Sequence, residues 1–254
     1  MTPTPEHDRT EPVGAHASPR PAASLDAHPA DVPASWSRAL LALVLVLQLV
    51  TWSRQAGYSE ADAVELVSSA QAWVEGVDLG ARSVGPTLRP FAYSVLFTPL
   101  FWVARILGLE DLRPIFAMAR CVQIGLALAL VAATVRLGTQ LGGRRVGLAA
   151  GFLLGANPVF LHYSVLPVTG IAAGLLGVLG LERVLARDGF RAGLAGGLWF
   201  AGAVLIAYQG LMVALIVGVL LCARHRWAGR ATLGGFALGL AAFVPAGAAL
   251  DRIV

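Results

Sequence analysis

From residue 36 onward, apolar residues run in long blocks separated by short polar or arginine-rich breaks. Blocks of this length belong to helices that cross a bilayer rather than to strands or half-buried surface helices. The first, WSRALLALVLVLQLVTW, lies between Trp36 and Trp52, and interfacial aromatics commonly bound a span. No small-residue cleavage site follows it, so it reads as a retained signal anchor with Gln48 as a polar interruption. Residues 1–35 carry no apolar periodicity and are rich in Pro, Ala, His and Asp, which predicts a disordered tail. The tail's His7, His16 and His28 are too widely spaced to form a metal tract.

The number of crossings turns on Arg89–Gly108, RPFAYSVLFTPLFWVARILG. Three arginine clusters punctuate the later blocks: Arg136/Arg144/Arg145, Arg183/Arg187/Arg191 and Arg224/Arg226/Arg230. They alternate with the arginine-free connections HYSVLPV and YQG. The positive-inside rule puts all three clusters, and the tail, in the cytoplasm only if Arg89–Gly108 does not cross. Its Pro99 and Arg105 fit an interfacial or re-entrant helix. The predicted fold is therefore an all-α integral membrane protein of about seven spans: 36–53, 114–135, 146–161, 168–186, 192–208, 210–223 and 231–250. Residues 54–113 form a large external loop, and 36–254 form one transmembrane domain in the plasma (inner) membrane. Glycines at four-residue spacing, such as Gly193/Gly197 and Gly235/Gly239, predict close helix packing. They are not phosphate loops, because no strand precedes them and no G-x-x-x-x-G-K-[ST] occurs.

Composition agrees with this class: 57% of residues are hydrophobic, 13% are charged, and mean hydropathy is +0.71. A net charge of +4 does not point to nucleic acid, since the arginines gather at the ends of apolar blocks. Cys121 and Cys222 both fall inside such blocks, which predicts free, buried thiols and neither a disulfide framework nor a zinc site.

One stretch departs from the apolar pattern. Ser59–Gly76, SEADAVELVSSAQAWVEG, predicts an amphipathic helix over 61–75 at the start of the external loop. Val64, Val67, Gln71 and Val74 make its mostly apolar stripe, and Asp62, Glu65 and Ser69 lie on another side. Ser59 fits the N-cap with Asp62 at N3, so a purely structural role for the acids is the plain alternative to a reactive one.

Several motifs recur in a fixed order. Asp62 stands fourteen residues before Gly76, and Arg89-Pro90-Phe91-Ala92-Tyr93 opens the non-crossing segment. AMAR at Ala117–Arg120 starts the next span, and Leu141–Arg145, LGGRR, makes a turn. NPVFLHYSVLP, Asn157–Pro167, leaves the third span. This ordered set resembles the GT-C fold glycosyltransferases of the protein O-mannosyltransferase and aminoarabinose-transferase group, over roughly residues 56–190. Members are longer, so the resemblance implies their N-terminal part, with a partner subunit as one source of missing helices.

The resemblance implies sugar transfer from a polyprenyl-phosphate carrier to a hydroxyl on the non-cytoplasmic face, with inversion and without metal or cofactor. Asp62 would be the general base. Arg82 and Arg89 are candidates to stabilise the departing lipid phosphate. Glu60, Glu65 and His162 are further candidates for substrate contact. The chain departs from the family at Asp62-Ala63, where an Asp-Glu pair is usual, at Val168-Thr169 after Leu-Pro, and at Tyr208-Gln209. These departures keep a second class in view, a noncatalytic membrane subunit or inactive truncated relative that binds lipid or scaffolds a cell-envelope complex. A transporter is disfavoured, because the spans between 146 and 250 place no ionisable residue at mid-depth.

Overall fold

Helices follow one another along the computed structural model, which describes residues 33–55, 61–76, 92–109, 111–224 and 230–253. No strand occurs among the described residues. In chain order the helices are α1 (Ala34–Arg54), α2 (Ala61–Val74), α3 (Ala92–Val95), α4 (Thr98–Ile106), α5 (Leu112–Gly155), α6 (Pro158–Ser164), α7 (Thr169–Ala186), α8 (Phe190–Ile206), α9 (Gln209–Arg224), α10 (Arg230–Ala241) and α11 (Phe243–Ile253). Four helices are long and apolar enough to cross a membrane: Ala34–Arg54, Arg113–Gly155, Thr169–Ala186 and Arg230–Ala249. They mark the chain as a membrane protein. The expected tail, residues 1–35, lies almost wholly outside the described residues.

The α5 segment is too long for one crossing. At 1.5 Å per residue it would extend about 65 Å, twice the hydrocarbon thickness of a bilayer. It doubles back instead at Gly142 (φ −146°, ψ 18°) and Gly143 (φ 80°, ψ 173°), within the LGGRR stretch expected to turn. Gly143 adopts a left-handed conformation that a side chain would resist. The two arms then lie so close that a Cβ on Gly138 would come within 2.8 Å of the Gly147 Cα. A second break follows at Asn157, whose side chain caps α6 by accepting the Val159 N–H at 2.9 Å and the Phe160 N–H at 3.2 Å. The expected span 146–161 is thus two helices, because Asn157-Pro158 offers a better start than continuation. Residues 231–250 divide likewise at Ala242.

Packing proceeds through three apolar clusters. Leu40 and Val44 of α1 meet Ala127, Leu130, Val131 and Val135 of α5 together with Phe160 of α6. Val184, Phe200, Ala214, Val217, Leu221 and Phe236 join α7 to α10. Between α8 and α10 the backbones nearly touch: a Cβ on Gly193 would overlap the Thr232 carbonyl, and one on Gly235 the Phe190 carbonyl. The glycine pairs therefore work as a packing seam. The Thr232 hydroxyl accepts the Gly189 N–H at 2.8 Å at the same junction.

The third cluster carries the amphipathic helix. Val67 and Ala70 of α2 pack on Tyr93, Phe97, Phe101 and Ala104 of α3 and α4, and on Ile115, Phe116 and Ala119 of α5. Of the predicted stripe, Val67 is buried and Val74 lies at the margin, and Ala70, which that stripe did not include, is buried beside them.

One sequence expectation is corrected here. Cys121 and Cys222 are free, but both are exposed on the outside of the bundle. On α5, Cys121, Gly125 and Ala129 face outward while Gln123, Ala127 and Val131 face inward. An apolar helix surrounded by lipid accepts a thiol on either face.

Candidate functional site

Tyr93, Ser94, Arg120 and Gln123 are buried on the elements that pack against α2 or border its apolar cluster. Gln123 is fully buried on α5 and acts as a hub. The Tyr93 hydroxyl of α3 donates to its Oε1. Its Nε2 donates to the carbonyls of Tyr163, at 3.4 Å, and Val168, at 3.2 Å. The Tyr163 carbonyl lies in the last turn of α6, where it also accepts the Leu166 N–H at 3.3 Å, and the Val168 carbonyl lies in the irregular connection just before α7. One side chain thus ties α3, α5 and the α6–α7 connection together. Burial pushes the Tyr93 hydroxyl above its ordinary pKa, so it remains a donor. Its ring meets Phe97 edge-on, with centroids 5.1 Å apart.

Two more polar residues are buried nearby in sequence. Ser94 is fully buried beside Tyr93, and its hydroxyl has no hydrogen-bond partner among the described residues. Arg120 is only 8% exposed and lies three residues before Gln123, on the same side of α5. Its neighbour Ala119 packs in the cluster that seats α2. A guanidinium in such apolar surroundings is costly unless it faces an anion or a set of acceptors. Sequence reasoning placed Arg120 within a motif but gave it no role. The signal was present, since a charged residue inside an apolar span marks function more often than structure.

The other predicted residues separate into two groups. Asp62 stands in the first turn of α2, and Glu65 follows one turn later, half-buried. The main-chain carbonyl of Glu65 accepts the hydroxyls of Ser68 at 3.0 Å and Ser69 at 2.8 Å. Glu60, Arg82 and Arg89 lie outside the described residues, as do Ser59 and its expected cap. His162 is on α6, apart from α2 in the chain but adjacent to Tyr163, whose carbonyl Gln123 holds. The Gln55 side chain, just past α1, approaches the His162 Nδ1 at 3.1 Å and donates to its carbonyl at 3.4 Å. Gln48, seven residues earlier on α1, is fully buried, and neither amide atom has a hydrogen-bond partner among the described residues. Among the described residues no three His, Cys, Asp or Glu side chains gather as a metal site.

At the opposite end of the spans, the Arg136 guanidinium pairs with Glu182 at 3.3 Å, and Gln140 donates to the same carboxylate at 3.5 Å. This brings the first arginine cluster to the end of α7 that bears the second.

No family model, curated protein or solved structure matches this chain.

Proposed function

We propose that this chain is a glycosyltransferase that uses a polyprenyl-phosphate-linked sugar at the non-cytoplasmic face of the membrane. The observation that carries the reading is Arg120, a buried arginine next in the chain to Ala119 of the apolar cluster that also seats the Asp62 helix. Transfer from a lipid phosphate requires a base for the acceptor's proton and a cation for the departing phosphate. Asp62 takes the hydroxyl proton as the acceptor oxygen bonds to the anomeric carbon from the face opposite the phosphate. The bond from that carbon to the phosphate oxygen breaks, its electron pair stays with the phosphate, and the sugar inverts. Arg120 shares the phosphate charge with Arg82 and Arg89.

The same reading includes seven spans, a cytoplasmic N-terminus and a non-crossing α3–α4 segment. The reading is supported by α5, which is too long for one crossing and doubles back at Gly142-Gly143 into two arms. Residues 92–106 extend only about 22 Å as helix, short of a full bilayer core. The Arg136–Glu182 pair supports placing two arginine clusters on one side, which the positive-inside rule makes cytoplasmic.

The experiment is sugar transfer from a radiolabelled polyprenyl-phosphate-sugar pool by membranes that express the chain or Asp62→Asn. The expected outcome is turnover lost in the variant at equal expression. Equal turnover in both removes Asp62 from the mechanism. No turnover in either, with the protein correctly inserted, favours a noncatalytic lipid-binding subunit that works beside a partner.

A further inference from the structure

A cavity of about 620 Å³ opens between α2, α4 and the start of α5. It is distinct from the Gln123 hub and shares no residue with the proposed transfer chemistry. Its apolar wall includes Val74, Phe101, Leu109 and Ile115, and its polar lining is Glu75, Gln71 and Arg105. The volume is in the range of small-molecule sites. Ile115 is two residues into the Arg113–Gly155 span, so the cavity lies at the membrane surface.

The two charges in this cavity are of opposite sign and do not neutralise each other. The Glu75 carboxylate accepts the Gln71 amide at 2.7 Å, one helical turn away, which fixes its direction. The Arg105 guanidinium rests 6.0 Å from the centroid of the Trp102 ring and is oriented by it. Among the described residues the Glu75 carboxylate and the Arg105 guanidinium are held by Gln71 and Trp102, and no ion pair joins either of them to an opposite charge. On its outer side α4 exposes Trp102, Val103, Ile106 and Leu107, a contiguous apolar surface next to the cavity. Such a surface on a short helix at the end of a span belongs in the lipid interface.

We infer that this cavity binds the headgroup of a zwitterionic phospholipid of the surrounding leaflet, a phosphoethanolamine. Arg105 takes the phosphate, for which guanidinium geometry is suited. Glu75 takes the ammonium, whose N–H donors a choline lacks. The glycerol backbone lies on Phe101 and Leu109, and the acyl chains leave over the apolar face of α4. The inference rests on the charge pair and the cavity and is independent of the glycosyl-transfer reading.

Native mass spectrometry of the full chain in detergent tests it, with phosphatidylethanolamine, phosphatidylcholine and phosphatidylglycerol of identical acyl chains. The expected result is phosphatidylethanolamine retained about tenfold over the other two, the scale of one charge-assisted hydrogen bond. Glu75→Gln lowers phosphatidylethanolamine retention and raises that of phosphatidylglycerol, because a repulsive carboxylate is gone. A folding defect cannot produce that opposite pair of changes. Arg105→Gln weakens all three lipids. Equal phosphatidylethanolamine retention by the unaltered chain and both variants overturns the inference. Soluble phosphoethanolamine that competes as well as the lipid overturns the lipid assignment and gives the cavity to a free zwitterion.

Discussion

The hydroxyl of Tyr93 donates to the side-chain oxygen of Gln123, thirty residues further along the chain, inside an apolar cluster. That bond fastens the short α3–α4 segment to the long first arm of α5. Tyr93→Phe leaves the Gln123 oxygen buried without its donor, which costs about 1–3 kcal/mol. Gln123→Leu costs more, since the Val168 carbonyl loses the amide that holds it and the Tyr163 carbonyl loses one of its donors as well. Thermal unfolding in detergent checks the order: unaltered chain, Tyr93→Phe, then Gln123→Leu. The double variant should be less destabilised than the sum of the two, because one bond is shared.

The α8–α10 seam makes a sharp contrast between two glycines. Gly193→Ala drives a methyl into the Thr232 carbonyl, and backbone cannot swing aside, so the helices must part. The expected loss is about 1–3 kcal/mol. Gly234→Ala meets no atom within 4 Å and should be neutral or slightly stabilising through helix propensity. Equal melting temperatures for the two variants would show that the seam is not closely packed.

Gln48 offers a prediction with the opposite sign. Both of its amide atoms are buried without hydrogen bonds among the described residues. Gln48→Leu keeps much of the volume and removes the unsatisfied groups, so the variant should melt higher by the equivalent of about 1–3 kcal/mol. A lower melting temperature would show instead that the amide is held by bound water or another polar ligand.

For the proposed reaction, Asp62→Asn should reduce transfer by at least about 100-fold without changing the melting temperature, the scale of a lost general base. Glu65→Gln, one turn along α2, should retain most activity. Arg120→Gln should also reduce transfer, and Arg120→Lys should restore part of it, since the charge returns without the guanidinium's paired donors. A rate unaffected by Arg120→Gln would remove that residue from the phosphate site.

The residues of α2 show how far a sequence pattern reaches. Val67 and Val74 stand at helical spacing in a polar setting, and the helix they predict over 61–75 is present as Ala61–Val74. There the contrast between water and protein interior writes itself into the periodicity. The turn at Gly142-Gly143 falls in the LGGRR stretch expected to turn, whereas the break at Asn157-Pro158 divides a stretch expected as one span. Membership of the membrane class, the blocks of apolar helix and their approximate ends were therefore determined by the sequence alone.

Which side of each apolar helix faces its neighbours was decided only by the tertiary structure. Cys121 and Gln123 are two residues apart in one apolar block, yet the first faces outward and the second anchors three elements. Lipid and protein interior are equally apolar, so a spanning helix carries no periodic signal of its buried face. For that reason the Gln123 hub, the burial of Arg120 and Gln48, and the meeting of Glu75 with Arg105 around one cavity emerge only when the helices pack.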